Sequence, residues 1–241
     1  MATATSNRKN IMKNRKAVFS LECQVTANKT NAYATRSNIE ENRALILKNY
    51  TAAFMGNRQL ANQNTDDIFR NRKAILGSLD AQTDVQKNYV ESCLNESSID
   101  YLEHRAQLNA SVLEVNKMMA EVNSKLIEIN SKIMKSNESI VAFNSKNVAL
   151  NAKYLASGMS NKVASPSTNA KRIARNKDRL GKILKVAKGN ASSIISLMKV
   201  ATKNRASIEK NAAGILARRK GIQDNQKKIA LNQSKVEKLI S

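Results

Sequence analysis

The chain has 241 residues, with one proline, seven glycines, no tryptophan and nine other aromatics. So little aromatic volume excludes a thick globular core, and so few helix breakers exclude a sheet-rich fold. Forty-one Lys and Arg against nineteen Asp and Glu leave a formal charge of +22, a field that favours nucleic acid, anionic lipid or an acidic protein over neutral partners.

The first element carries an asparagine every seven residues: Asn7, Asn14, then Leu21, Asn28, Thr35, Asn42 and Asn49. The series slips by one residue at Gly56 and resumes at Asn57, Asn64 and Asn71. An apolar residue sits three positions earlier, as in Ile11–Asn14, Ile39–Asn42 and Ile68–Asn71. Spacings that alternate three and four are those of a helix presenting one seam to a partner. With the apolar position as a, asparagine falls at d, and the unit reads I-x-x-N. Residues 1–79 hold 13 basic and 5 acidic side chains.

Around Gly77, Ser78 and Asp80 the repeat breaks, and Asp80 is placed to cap a new helix. The second element then runs from Asn88 through Asn95, Leu102, Asn109, Asn116, Asn123, Asn130 and Asn137 to Asn151. It is the one acidic segment: residues 80–156 hold 8 basic and 10 acidic side chains. It also has a second apolar stripe, Val112, Met119, Leu126, Ile133 and Ile140 at g, with Val115, Val122 and Ile129 at c. Two readings divide this stripe evenly. Either it is an exposed surface for lateral assembly, or it is the true core and the asparagines line its edge.

Residues 157–168, with Gly158 and Pro166, form a connector that stops the second helix. The third element repeats from Asn169 through Asn176, Ile183, Asn190, Leu197, Asn204, Asn211, Arg218 and Asn225 to Asn232. It is strongly basic from its start, where Lys171, Arg172, Arg175, Arg179, Lys182, Lys185 and Lys188 fall within about five turns.

The predicted fold is all-α: a single elongated domain of three helices near 5–77, 80–156 and 169–240. Matched lengths and short connectors favour an antiparallel three-helix bundle about 110 Å long. The alternative is an extended parallel trimer of chains. In the bundle, layers three and five lack asparagine on both outer helices, at Leu21 with Ile183 and at Thr35 with Leu197. Antiparallel pairing sets Leu102 beside Asn57 and Arg218.

The asparagine layers (Asn14, Asn42, Asn71, Asn116, Asn123, Asn130, Asn137, Asn176, Asn204, Asn211 and Asn225) are expected to bond amide to amide around the core. An unpartnered buried amide costs about 1–3 kcal/mol. Spare N–H groups would face the axis and suit a water or an anion. The plainer role is fixing register and partner number at a cost in stability. The I-x-x-N unit resembles stalk segments of bacterial trimeric surface adhesins, with asparagine at d around a bound anion. The resemblance covers that unit alone and implies nothing about activity.

No catalytic constellation stands out. His104 is a single histidine on an outer position, and Cys23 and Cys93 are isolated thiols that point to a reduced compartment. No apolar run of about 18 residues is present, nor the apolar stretch of a secretory signal. These features predict a non-enzymatic structural protein of the cytoplasm, or of an intracellular assembly such as a virion. Its partner is itself, and it has no cofactor or small-molecule substrate. The alternative is a sequence-independent nucleic-acid packaging protein working through the basic third helix.

Overall fold

The computed structural model describes residues 3–157 and 164–240, which are almost entirely helical, with no strand among them. In chain order come α1 (Ala4–Thr51), a π-helical turn (Ala52–Asn57), α2 (Arg58–Gly77), α3 (Asp84–Ser157) and α4 (Pro166–Ile240). The fold is all-α, as the scarcity of breakers predicts. Gly158 of the expected connector lies outside the described residues.

Both later helices start differently from the expectation. Thr83, not Asp80, caps α3. The Gln86 N–H donates to Thr83 Oγ1 at 3.3 Å, and the Thr83 N–H donates back to Gln86 Oε1 at 3.0 Å. This reciprocal box satisfies two orphan donors, whereas the Asp80 carboxylate accepts from the Gln82 side chain. Pro166 opens α4 instead of stopping its predecessor. At the first helical position its missing N–H costs nothing. Ser165 and Thr168 make the matching reciprocal pair before it, at 3.0 and 3.2 Å.

The chain divides into two units, Met1–Tyr50 with Ala152–Ala213, and Thr51–Asn151 with Gly214–Ser241. In the first unit, α1 lies beside α4. Asn7, Asn14, Asn28, Asn42 and Asn49 each donate Nδ2–H to the main-chain carbonyl 159 positions further on, at 2.7–3.1 Å. A constant offset means that the two helices run parallel. The buried residues here are polar on α1, Asn7, Thr35 and Asn42, and apolar on α4, Ala187, Ala201 and Ile208.

In the second unit, Asn57, Asn64 and Asn71 donate to the carbonyls of Ile215, Ile222 and Ile229, now 158 positions away, at 2.8–3.2 Å. The offset falls by one because the stretch ending at Asn57 holds a surplus residue. The π-helical turn absorbs it, as a one-residue insertion into an α-helix does. The slip at Gly56 thus has a structural counterpart. α3 folds back antiparallel against α2, with Phe69 and Tyr101 rings stacked at 4.5 Å and Arg72 paired to Asp100 at 3.2 Å. This hairpin corrects the expected layering: Tyr101 faces α2, and Leu102 is exposed, not set beside Asn57 and Arg218. The face of α3 turned towards α2 is the c/g face, about a third of a turn round the helix from the a/d seam.

Candidate interaction surfaces

The asparagine seam is a ladder of side chain to backbone. Amide-to-amide layers were the expectation. Instead, each bonded asparagine on α1 and α2 reaches a carbonyl of an a residue on α4. A helical carbonyl bonded to its own i+4 N–H keeps a second lone pair, and this is the acceptor used. Leu21 has no polar group for such a bond, and the buried Thr35 hydroxyl donates within its own helix, to the Asn31 carbonyl at 2.8 Å. The Oδ1 atoms of Asn42, Asn57 and Asn64 are buried without a hydrogen-bond partner.

On the other helices the same unit faces outward. Asn116, Asn123, Asn130 and Asn137 on α3 are exposed, as are Asn176, Asn204, Asn211 and Asn225 on α4. Within one chain the core polar layers therefore reduce to the α1–α2 asparagines, including Asn14, Asn42 and Asn71. The reason is geometric: α4 buries its a and e positions and α3 its c and g positions, so d points away from the contact on both. The apolar a residues of α3 are open too. Val85, Ile99, Leu113, Ile127, Met134, Val141 and Val148 are 63–79% exposed.

The second apolar stripe of α3 divides. Val112, Val115, Met119 and Leu126 are half-buried, while Val122, Ile129, Ile133 and Ile140 are exposed. Up to Leu126 the stripe is half-buried apart from Val122, and beyond Leu126 it is open apolar surface, with Phe143 on the same face.

A polar cluster at the α2–α3 hairpin was not visible in the heptad reading. Asp66 accepts from the Tyr101 hydroxyl at 2.9 Å and from Arg105, whose guanidinium also lies over the Tyr101 ring. The Arg105 hydrogen bond, with help from Tyr101, holds the Asp66 carboxyl below its ordinary range, and the same pairing raises Arg105. Ser97, 2% exposed, accepts from Arg72. Thr65, Ile68 and His104 complete the lining of a 120 Å³ hollow here. The only advance signal was the placement of two of the chain's few aromatics, Phe69 and Tyr101, near the turn.

The basic stripe is present as an exposed surface. Lys171, Arg172, Arg175, Arg179, Lys182, Lys185 and Lys188 all face solvent, and Lys182 pairs with Asp178 at 2.9 Å. Further along, Arg205 bridges to Glu41 on α1 and Glu209 on its own helix, which together raise its pKa. On α3, Lys132 and Lys125 flank Glu128 and lower its pKa. Cys23 and Cys93 are free thiols. Among the described residues no group of three or more His, Cys, Asp or Glu is placed to hold a metal, and no helix is long and apolar enough to cross a membrane. No family model matches this chain, and neither a curated protein nor a solved structure does.

Proposed function

We propose that this is a structural helical-bundle protein that associates with copies of itself into an ordered filament, lattice or shell inside the cell. The observation that carries the reading is the open apolar surface on α3, where Ile129, Ile133, Ile140 and Phe143 stand in solvent next to the exposed a-position seam. Contiguous apolar surface on this scale marks an interaction site. The charge difference between the acidic α3 segment and the basic α4 adds complementarity and orientation. In this reading the protein has no catalytic step. The second N–H of each seam asparagine is the donor on offer to a water or an anion. The free thiols Cys23 and Cys93 fit a reduced cytoplasmic setting.

The test is electron microscopy and sedimentation of nuclease-treated protein at physiological salt. The wild type should give regular assemblies, and Ile133→Lys with Ile140→Lys should return it to small species without loss of helix content. Isolated particles from the wild type would overturn the reading.

The exposed stripe from Lys171 to Lys188 favours a second reading, a backbone-directed nucleic-acid binder. In that case the preparation loses its assemblies when nuclease-treated. Neutralising Lys182, Lys185 and Lys188 should then flatten the slope of log affinity against log salt, by roughly 0.9 for each phosphate no longer neutralised.

A further inference from the structure

The α1–α4 contact in the first unit has a direction. α1 presents d, with Gln24 and Leu45 at g, to the a and e positions of α4. The converse sides stay open: the a side of α1, with Ile11 and Val18, and the d/g side of α4, with Asn176 and Val186. Between them run two open hollows of 490 and 450 Å³. A third helix that follows the same rule would accept from the α4 asparagines on its a-position carbonyls and donate its own asparagines to the carbonyls of α1.

We propose that a second copy of this chain supplies that helix, laying its α3 parallel and in register into the α1–α4 groove. This rests on the self-associating reading above and specifies its contact. Four observations select α3. It carries the one I-x-x-N seam of the chain whose a residues and asparagines are both exposed. Its register fits in the parallel sense: Leu21, Leu102 and Ile183 are spaced 81 residues apart, as are Asn14, Asn95 and Asn176, and Asn42, Asn123 and Asn204. All three helices then lack the amide together at the third layer, and Asn123 arrives beside Asn42, whose buried Oδ1 lacks a donor.

Charge is the third argument. Residues 4–51 hold nine basic and three acidic side chains and residues 166–213 twelve and two, whereas residues 85–130 hold four and seven. In parallel helices g of one faces e of the next heptad on its neighbour, which sets Glu96 and Glu103 against Arg172 and Arg179. Polarity is the fourth. In the second unit α3 runs antiparallel to α2, which is itself parallel to α4, so a parallel helix comes from another molecule. The contact joins two different patches, and such contacts propagate into a filament unless they close into a ring.

The test is disulfide trapping in full-length chain carrying Cys23→Ser and Cys93→Ser, with helix content checked first. One preparation also carries Leu102→Cys and the other Ile183→Cys. Oxidising the mixture should give a covalent dimer, and replacing Ile183→Cys by Leu197→Cys, two layers out of register, should abolish it. A chain carrying both Leu102→Cys and Ile183→Cys that links at monomer mass would overturn the proposal, as would equal linking at both positions. Should the cysteine variants fail to fold, Glu96→Arg with Glu103→Arg and Arg172→Glu with Arg179→Glu provide a second route. Each pair alone should lose assembly and the mixture regain it; no recovery overturns the contact. Failed trapping with assemblies intact in the microscope removes this contact and leaves self-association standing, whereas wild-type protein without assemblies removes both.

Discussion

The I-x-x-N unit has opposite fates in two regions of this molecule. On α1 its asparagines are buried and hydrogen-bonded to α4 carbonyls, as at Asn42, which is 6% exposed. On α3 the same unit faces solvent, and the helix is held by its other face through Phe69–Tyr101 stacking and the Asp66–Arg105 pair. The unit therefore specifies a face and a register, not a partner. Which helix engages that face is decided by connectivity and by the competing c/g stripe.

The largest expected effect compares two deletions. Removing Ala34 from α1 should rotate Asn42 and Asn49 about 100° off the seam, since one residue is 1/3.6 of a turn. Breaking those bonds and leaving polar groups mismatched should cost about 3 kcal/mol or more. Removing Gly56, where the π-helical turn already holds a surplus residue, should cost little. Urea midpoints read both, and an equally damaging Gly56 deletion would refute the insertion account.

Next in size is a charge placed in the same unit on each helix. Asn42→Asp puts an acceptor against the Ala201 carbonyl in a buried site and should cost about 3 kcal/mol. Asn123→Asp on the exposed face should stay within about 0.5 kcal/mol at protein concentrations too low for assembly. Equal effects would mean that the two faces are not different.

The smallest effect concerns the hairpin clasp. The folded Asp66 pKa lies below its unfolded value, so its contribution is complete above the ordinary carboxylate pKa of about 3.9 and is lost as pH falls through the depressed value. Because Asp66 is 42% exposed, solvent screening keeps this below about 1 kcal/mol. Urea titrations of wild type and Asp66→Asn should differ at neutral pH and converge in acid. A gap that persists at low pH would assign the effect to packing.

Much of the architecture was legible in the residues themselves. The helix lengths, the break after Gly77, the slip at Gly56 and the amide-free third layer all follow from a period that any single helix must obey. The candidate surfaces were legible as stripes, because a stripe is a property of one helix. Asn176 and Asn204 were expected in a core and lie outside it, because heptad position does not record which neighbour a helix meets.

Taken alone, then, the sequence determined the all-α class, the three helical segments and the seven-residue register of polar and apolar positions, since 3.6-residue geometry and breaker placement are local. Only the tertiary structure decided that the α1 amides bond to α4 carbonyls, that α3 packs through Tyr101 and Arg105, and that its own seam stays open. Those outcomes depend on long-range competition among faces of similar hydrophobicity, which the period of a single helix does not record.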